Sequence, residues 1–335
     1  MKFVFCGLGS IGQRHLINLL SLGEKDIIAY RTRNLPMKSF PTILVFTDLE
    51  KALKQKPDVA IIANPSSLHI PLAMKLAKYG CHLFIEKPLS TNKTGVAELT
   101  HVIAKKKLKV FMGFMMRYHP AVIQIKKWLE SENIGKIICC QFTCGNYLPL
   151  WHPNEDYSKT YAARKELGGG PINTLCHEFD LMVYFFGMPS QVFCIESRNS
   201  NLKINTEHSA EILFKYKTGM MSEIHLDYIQ NPPQRNWSII GNKGKIEFDY
   251  YQNVLILYLT KSNGKDYNKR EINYSQTFSR NDMFIAELKD FRHTLLLNKK
   301  PNITLNDGIN NLKIILAAHK SHELKRMVNI KDIAF

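Results

Sequence analysis

The sequence predicts an α/β fold with a doubly wound parallel sheet, followed by an α+β domain built on a large, mostly antiparallel sheet. Strands and helices alternate up to about residue 118, a pattern typical of parallel sheets. Between residues 191 and 260, short strands follow one another through tight turns, which indicates antiparallel pairing. We therefore expect domains at residues 1–118 and 119–335, with the last helix packing back on the first domain.

Apolar runs define the elements of the first domain in order. Asp48 is placed to cap one helix, and Gly80 is placed to end the next. The predicted strands are Phe3–Cys6, Asp26–Tyr30, Ile43–Phe46, Val59–Ala63, Cys81–Ile85 and Lys109–Gly113. The predicted helices are Ile11–Leu22, Asp48–Gln55, one ending at Tyr79, and Lys93–Lys107.

The second domain begins with a helix and a long alternating strand. A single helix is predicted from Pro171 to Phe186, because proline suits a first helical turn and an apolar stripe follows it. The other elements are a helix at Ala121–Ser131, strands at Ile137–Tyr147, Gln191–Arg198, Ser209–Lys217, Met221–Ile229, Trp237–Gly241, Lys245–Asp249 and Val254–Thr260, and helices at Asp282–Leu297 and Asn306–Met327.

The composition limits the class of protein. With 335 residues, 45% of them hydrophobic and 22% charged, the chain can bury cores for two domains. No apolar run approaches the roughly 18 residues of a membrane span, and glycines interrupt the apolar start, so we expect neither membrane insertion nor a signal peptide. Seven cysteines without a CxxC pair favour a reducing, cytoplasmic compartment.

The net charge of +16 raises the possibility of nucleic-acid binding. The lysines are spread over the whole chain, however, and the densest run, at residues 105–107, closes a predicted helix. Cations there complement the helix dipole. No aromatic residues interleave with a basic stripe, as a single-strand platform requires. We therefore expect a solvated basic surface that favours small anionic ligands, and no nucleic-acid partner.

The first strand runs into Gly7-x-Gly9-x-x-Gly12, and a helix follows. This order of strand, glycines and helix is typical of a Rossmann dinucleotide site. Gly7 permits the turn, Gly9 lets a pyrophosphate approach the backbone, and Gly12 lets helix and strand pack closely. Ser10 and Ile11 open the helix, whose free N–H groups favour phosphate. The alternative is a glycine-rich turn that binds nothing.

The end of the second strand determines which dinucleotide fits. An acidic residue there accepts a hydrogen bond from the ribose 2′-hydroxyl of NAD, whereas arginine accommodates the 2′-phosphate of NADP. This chain has Arg31 and Arg33 at that point and no acidic residue. The sequence therefore favours NADP over NAD, and leaves ordinary surface arginines as the alternative.

Two further polar motifs follow strand ends. Asn64, Pro65 and His69 come after the fourth strand, and Glu86 and Lys87 after the fifth. Because the carboxyl ends of parallel strands meet at one edge of the sheet, we expect both motifs to join the dinucleotide site.

One helix of the second domain carries an unusual polar face. Asn173, His177, Asp180 and Tyr184 fall on one side of a continuous helix. A solvated face usually carries lysine and glutamate, so this one indicates a cleft with His177 inside it. A structural histidine is the alternative. A metal site is disfavoured, because no third ligand accompanies His177 and Asp180 at zinc-like spacing.

The chain resembles the glucose–fructose oxidoreductase/inositol dehydrogenase (Gfo/Idh/MocA) family over nearly its whole length. The motifs that carry the resemblance are Gly7–Gly12, Asn64–His69, Glu86-Lys87-Pro88, Arg117–Pro120, Gly168-Gly169-Gly170 before His177, and Asp307-Gly308. Glu-Lys-Pro at a strand end is the most specific of them. The tract from Trp151 to Asp180 is similar to members from bacterial surface-polysaccharide and nonulosonic acid pathways.

The resemblance implies an NAD(P)-dependent oxidoreductase acting on a hydroxyl–carbonyl pair of a sugar, cyclitol or derivative. It implies that Lys87 is the catalytic lysine and that His177 exchanges the substrate proton. It also implies a homodimer or homotetramer formed through the C-terminal sheet. Many members have an aspartate three or four residues before the histidine, where this chain has Thr174 and Asn173. An amide at Asn173 remains able to orient a substrate hydroxyl.

We further expect Arg117, Trp151, Tyr157 and Arg164 to line the sugar pocket, because ring faces stack on sugars and guanidinium groups suit carboxylate or phosphate. Two other functions remain open at this point. One is a non-catalytic dinucleotide sensor, and the other is a reductase of an imine or tetrapyrrole on the same fold.

Overall fold

Residues 1–32, 40 and 42–335 are described by a computed structural model of the chain. Arg33, one of the two arginines predicted to favour NADP, lies outside these described residues. Within them, every helix is too short or too polar to cross a lipid bilayer.

The described chain forms two compact units. The first contains residues 1–115, 281–312 and 335, and the second contains residues 116–280 and 313–334. This division differs from two consecutive domains meeting at residue 118, because a C-terminal segment belongs to the first unit. The physical reason is the packing of that segment on the parallel sheet, described below.

Six parallel strands form the sheet of the first unit. They are β1 (Phe3–Cys6), β2 (Ile27–Tyr30), β3 (Leu44–Phe46), β4 (Val59–Ile62), β5 (His82–Glu86) and β6 (Val110–Gly113). The order is β3-β2-β1-β4-β5-β6. The chain therefore winds outwards in both directions from β1, and the crevice between β1 and β4 is the switch point where ligands bind in such sheets. The doubly wound prediction is confirmed.

Among the described residues, four α-helices connect these strands: α1 (Ser10–Ser21), α2 (Leu49–Leu53), α3 (His69–Tyr79) and α4 (Val96–Lys106). Asp48 accepts a hydrogen bond from the N–H of Glu50 at 2.8 Å and so caps α2. Gly80 ends α3 in the left-handed region, with φ of 115°. Helix α4 begins at Val96, three residues later than predicted.

Nine strands form the sheet of the second unit. They are β7 (Ile137–Gly145), β8 (Gln191–Ser197), β9 (Ser209–Lys215), β10 (Met221–Asp227), β11 (Gln234–Gly241), β12 (Gly244–Asp249), β13 (Val254–Thr260), β14 (Tyr267–Asn273) and β15 (Val328–Asn329). Their order is β14-β13-β12-β11-β7-β10-β9-β8-β15. Strands β7 and β10 pair in parallel and the other neighbours pair antiparallel. The prediction of a mostly antiparallel sheet is confirmed.

The sequence did not predict β14 and β15, which form the two edges of this sheet. Strand β14 is exposed at six of its seven residues, so it shows no alternation of apolar and polar side chains. Strand β15 has two residues and is too short to produce a pattern.

Three α-helices of the second unit precede β8 in the chain: α5 (Pro120–Glu130), α6 (Pro171–Thr174) and α7 (His177–Phe186). The prediction of one helix from Pro171 to Phe186 is wrong, because the helix is interrupted at residues 175–176. Helix α7 packs on the sheet, with the ring of Phe179 6.1 Å from that of Phe214.

Two C-terminal helices complete the fold, α8 (Arg280–Leu296) and α9 (Leu305–Leu324). The ring of Phe291 in α8 lies 5.5 Å from Phe84 of β5 and 5.7 Å from Phe111 of β6. A side chain at Gly308 in α9 would come within 2.8 Å of Met112 Sδ. These contacts bring residues 281–312 onto the parallel sheet, and they explain why glycine stands in the Asp307-Gly308 motif.

A charged cluster crosses β9 and β10 in the second unit. The imidazole of His225 bridges two carboxylates, with Nδ1 2.5 Å from Glu211 Oε1 and Nε2 2.7 Å from Asp227 Oδ2. The carboxylate of Asp227, assisted by Glu211, raises the pKa of His225 to about 9. The imidazolium is therefore the form that stabilises the fold.

This cluster makes stability depend on alkaline pH. Because the folded-state pKa of His225 exceeds the unfolded value of about 6.5, its stabilisation is complete below about pH 6.5 and disappears as pH rises through about 9. Because His225 is partly exposed, solvent weakens its ion pairs, and we expect His225→Gln to lower the free energy of unfolding by about 1–2 kcal/mol at about pH 6. The loss should be much smaller at about pH 10. Urea unfolding at both pH values measures the difference. The exposed His101→Gln is the control, and an equal loss at both pH values contradicts the assignment.

Candidate active site

The glycine loop after β1 is built on close backbone contacts. Gly7 has φ of 100°, and a side chain there would lie 2.7 Å from the backbone of Ala63 and Asn64. A side chain at Gly12 would collide with the carbonyl oxygen of Gly7. Gly7 and Gly12 are therefore required for β1, α1 and the end of β4 to meet.

Gly9 has a different environment. Its backbone is extended (φ −69°, ψ −171°), and a side chain there would find no atom of a described residue within 4 Å apart from its chain neighbours. Ser10 and Ile11 follow as the first residues of α1, whose first turn contains no acidic residue. Open space in front of the positive end of a helix dipole fits a pyrophosphate.

The loop after β4 is tied to the loop after β5 by a buried histidine. The ring nitrogens of His69 lie 2.8 Å from the carbonyl oxygens of Asn64 and Pro88, and burial lowers the pKa of His69. His69 thus links the backbone of both loops, and its contact with the dinucleotide stays a prediction. Pro65 is half-buried, and the buried Oδ1 of Asn64 has no partner among the described residues, which leaves it as a hydrogen-bond acceptor.

Glu86 and Lys87, at the carboxyl end of β5, have different surroundings. Glu86 is 7% exposed, and its carboxylate contacts His15 of α1 and the N–H of Lys87. Its carboxylate is thus held by two groups of the protein, and a contact of Glu86 with the dinucleotide stays a prediction. Lys87 is half-buried, and its ammonium supplies a positive charge to this edge of the sheet.

Arg31 follows β2 directly, as predicted. Its N–H donates to the carbonyl oxygen of Phe46 at 3.0 Å, which continues the pairing of β2 with β3 by one residue. Arg31 is half-buried. Residues 30–32 contain no acidic side chain.

In the second unit, the break between α6 and α7 changes the predicted polar face. Asn173 lies in α6 and His177 is the first residue of α7, so the two do not share one helix. His177 is 5% exposed and Asn173 is 9% exposed. The amide Nδ2 of Asn173 donates to the carbonyl oxygen of Gly169 at 2.9 Å. Its buried Oδ1 has no partner within residues 1–32, 40 and 42–335.

Asp180 and Tyr184, the other two members of the predicted face, contact Arg117. The guanidinium of Arg117 forms two hydrogen bonds with the Asp180 carboxylate, of 2.9 and 2.6 Å, and lies 4.9 Å from the centre of the Tyr184 ring. Asp180 is 2% exposed. A buried, bidentate pair of this kind fixes the segment at Arg117 to α7. The structure therefore assigns Arg117 a strong internal partner instead of a free guanidinium for substrate.

Thr174 is neutral and adds no charge to the candidate site. Its hydroxyl contacts the carbonyl oxygen of Gly170 at 2.9 Å and also bonds the hydroxyl of Tyr228. Tyr228 is completely buried, and burial raises its pKa well above the ordinary value. The ring of Trp151 packs edge-on against Tyr228, 5.2 Å between centres. Trp151, Tyr228 and Thr174 thus form one continuous cluster.

The triple glycine before α6 is explained by packing within this unit. A side chain at Gly169 would strike the carbonyl oxygens of Tyr161 and Ala162, and one at Gly170 would strike the carboxylate of Glu207. Glu207 is 5% exposed, and burial raises its pKa. It accepts a hydrogen bond from the N–H of Ile172 at 3.1 Å, so it fixes the start of α6.

The other two residues expected to line the pocket are held by protein partners. The hydroxyl of Tyr157 accepts a hydrogen bond from the N–H of Lys203 at 3.2 Å. The exposed guanidinium of Arg164 lies 2.6 Å from the Glu166 carboxylate. Tyr157 belongs with Trp151 to the apolar cluster around Tyr228, whereas Arg164 belongs to the surface.

Sequence reasoning missed His15, Glu207 and Tyr228. His15 had a detectable signal, since it is a polar residue on the apolar face of α1, three residues after Gly12. Glu207 and Tyr228 had none, because each is defined by a contact with α6 from a distant part of the chain. Among the described residues, no cluster of three His, Cys, Asp or Glu side chains has the arrangement of a metal site.

A parallel sheet that opens at a glycine loop and a helix N-terminus defines the class of Rossmann-fold dinucleotide-binding proteins. Comparison with protein families agrees. Residues 1–114 match the model described as an oxidoreductase family with an NAD-binding Rossmann fold, and residues 122–247 match the GFO/IDH/MocA C-terminal domain. The chain therefore belongs to the Gfo/Idh/MocA family of oxidoreductases, and its first domain is NAD-binding.

Relatives that match nearly the whole chain are distant in sequence. This chain is 26% identical to myo-inositol 2-dehydrogenase of Thermotoga maritima, over 99% of both proteins. The fold is similar to that of a levoglucosan dehydrogenase in complex with NADH, with a TM-score of 0.88, 17% identity, and coverage of 98% of this chain and 99% of that one. The complex of that enzyme with NADH and levoglucosan matches with a TM-score of 0.87, at 17% identity and the same coverage. These structures show the shared fold.

The contrast between Gly9 and Gly12 gives a paired test of the dinucleotide site. We expect Gly9→Ala to leave stability within about 0.5 kcal/mol, because the methyl group meets open space. It should nevertheless weaken NADH binding at least about tenfold if the pyrophosphate approaches Gly9 as predicted, since the methyl group would then occupy its space. Gly12→Ala should destabilise the fold by about 1–3 kcal/mol through its collision with Gly7. Thermal unfolding and NADH fluorescence titration measure both effects, and normal NADH binding by Gly9→Ala contradicts the site.

Proposed function

We propose that this chain is an NAD(P)-dependent oxidoreductase that transfers a hydride between nicotinamide and a hydroxyl-bearing carbon of a sugar, cyclitol or nucleotide-sugar derivative. The observation that carries the proposal is the placement of Lys87 at the carboxyl end of β5, on the sheet edge where the glycine loop opens. Relatives named myo-inositol 2-dehydrogenase and D-xylose 1-dehydrogenase, aligned over 99% and 98% of this chain, support the substrate class.

The residues that would hold the coenzyme are in the first unit. The N–H groups of Ser10 and Ile11, in the first turn of α1, have no partner within the helix and would bind pyrophosphate beside Gly9, and Asn64 and Pro65 would border the dinucleotide after β4. When bound, the nicotinamide ring supplies the hydride acceptor or donor.

In the proposed reaction, Lys87 and His177 have different roles at the substrate oxygen. Oxidation of an alcohol carbon requires the hydroxyl proton to leave, and histidine is the side chain whose ordinary pKa suits that transfer near neutral pH. The ammonium of Lys87 stabilises the charge that develops on the oxygen, an effect typically worth about 3–4 kcal/mol. In the reductive direction the same two groups return a proton to the oxygen.

Asn173 and Trp151 supply hydrogen-bonding groups for a polyhydroxylated substrate. Asn173 Oδ1 and Trp151 Nε1 are buried and have no partner in the described part of the chain. An amide oxygen accepts a hydrogen bond from a hydroxyl, and an indole N–H donates to one. Because Thr174 and Asn173 are neutral, His177 works without the carboxylate that many family members carry at these positions.

Removing either proton-handling side chain should abolish turnover without preventing coenzyme binding. We expect Lys87→Met and His177→Asn each to lower kcat by about 10²–10⁴-fold, with the Kd for NADH changed by less than about threefold. Coenzyme reduction with myo-inositol, levoglucosan, D-xylose and nucleotide-linked sugars is followed by the absorbance of reduced nicotinamide. The exposed Lys93→Met is the matched control.

The same experiment separates the alternatives. Near-normal kcat in both variants contradicts the assigned roles. Tight coenzyme binding by the wild-type protein with no turnover across the sugar panel favours a sensor, and turnover of an imine or tetrapyrrole alone favours a reductase of another substrate class.

We also propose a preference for NADP, on the support of Arg31. A guanidinium after β2 suits the 2′-phosphate of NADP. The 2′-hydroxyl of NAD lacks an acidic acceptor within residues 30–32.

Arg31→Ala should therefore raise the Kd for NADPH at least about tenfold and leave the Kd for NADH within about twofold. Titration of both coenzymes against the wild-type protein and the variant measures this preference. Lys51→Ala, on the surface of α2, controls for a general loss of positive charge. Equal wild-type affinities for NADH and NADPH would contradict a role for Arg31 at the 2′ position.

The last part of the proposal concerns the oligomeric state, the cellular location and the pathway of the enzyme. A homodimer or homotetramer through the nine-stranded sheet is supported by exposed apolar side chains on its strands, including Ile195, Leu213 and Met221. The molar mass in solution measures this assembly. A cytoplasmic location is supported by the seven cysteines, all of which are free thiols, and a role in surface-polysaccharide synthesis rests on the resemblance described above.

A further inference from the structure

A buried hydrogen-bonded chain leads from helix α1 to the backbone of Lys87. His15 Nε2 lies 2.6 Å from Glu86 Oε1, and the N–H of Lys87 donates to Glu86 Oε2 at 3.2 Å. His15 is completely buried and Glu86 is 7% exposed. One carboxylate therefore receives a donor from α1 and a donor from the residue that follows β5.

The surroundings of His15 favour a single arrangement of its ring. Phe84 and Phe284 pack edge-on against the imidazole, at 5.0 and 5.9 Å between ring centres. The buried Nδ1 has no partner in the described part of the chain. An imidazole so placed satisfies its environment best with the proton on Nε2, which donates to Glu86.

A neighbouring strand leaves room for the carboxylate. A side chain at Gly113, the last residue of β6, would lie 3.0 Å from the Glu86 carboxyl group. Because residue 113 is glycine, the Glu86 side chain fits between β6 and α1. There its carboxylate has two hydrogen-bond donors from the protein and needs none from a ligand. Because burying a carboxylate without hydrogen-bond donors costs free energy, the two donors stabilise Glu86 in this position.

We propose that His15 and Glu86 are positioning residues that hold Lys87 at the carboxyl end of β5. His15 lies one turn after Gly12 on α1, the helix that faces the coenzyme phosphates, so the pair links the phosphate-binding helix to the reacting lysine. Neither side chain touches substrate. The proposal rests on the role of Lys87 given above, and it adds the residues that fix its backbone.

The hydrogen bond from Lys87 N–H can be measured without coenzyme or substrate. In protein labelled with ¹⁵N-lysine, we expect His15→Phe, which keeps the ring packing but removes the donor, to accelerate exchange of the Lys87 amide about tenfold. His15→Gln restores a donor and should bring exchange within about threefold of wild type. Glu86→Ala gives the rate without the acceptor.

The Lys109 amide, directly before β6, is the internal control, since it donates to Nδ1 of His82 in β5 at 3.0 Å. Unchanged Lys87 exchange in His15→Phe overturns the proposal, and so does equal acceleration at Lys87 and Lys109, which indicates general loosening. Should His15→Phe not fold, His15→Leu removes the same donor and takes its place.

Turnover separates this proposal from the proposed function. We expect His15→Phe to lower kcat about tenfold in the wild-type background and to cause no further loss in Lys87→Met, because its effect passes through the lysine. An equal loss in both backgrounds indicates a merely structural role and overturns the positioning. Normal turnover in Lys87→Met itself contradicts the proposed function, whereas the amide exchange still reports on the hydrogen bond.

Discussion

The structure of the nucleotide-binding unit depends on the close approach of three backbone segments at one edge of the parallel sheet. Gly12 lies against the carbonyl of Gly7, and Gly7 lies against the chain at Ala63 and Asn64. These contacts bring α1, β1 and β4 together with the space at Gly9 left open. His69 then ties the end of β4 to the segment after β5, which carries Lys87. The chemistry proposed for this edge follows from that geometry, because three strand ends present their polar groups to the same place.

The second unit holds its candidate residues by a different principle. Here buried polar side chains hold the helices α6 and α7 in place, whereas close backbone contacts at glycines do so in the first unit. Glu207 fixes the start of α6, Tyr228 bonds Thr174 in the same helix, and Arg117 bonds Asp180 in α7. The amide oxygen of Asn173 and the indole N–H of Trp151 are both buried without a partner among the described residues. Neutral hydrogen-bonding groups of this kind suit hydroxyl groups better than phosphate or carboxylate.

The sequence predicted both sheets, the glycine loop and the strand ends that carry Asn64 and Lys87, because apolar periodicity and local glycine chemistry are properties of short segments. It did not predict the helix break after Thr174, since the apolar stripe continues through the break. It also did not predict that Arg117 bonds Asp180 or that Glu86 bonds His15. Partners of this kind are chosen by tertiary packing between residues 63 and 71 positions apart, and no local pattern encodes them. The sequence predicted only that the last helix packs back on the first domain, whereas the segment that returns to the parallel sheet, residues 281–312, also includes most of α8.

The most direct measurement of the central claim is a crystal structure of the protein with NADH. The account predicts pyrophosphate oxygens within about 3 Å of the backbone N–H groups of Ser10 or Ile11, in the space at Gly9. It also predicts that the nicotinamide ribose lies beside Lys87. Pyrophosphate bound away from the start of α1, or a coenzyme whose nicotinamide end lies far from Lys87, would contradict the account.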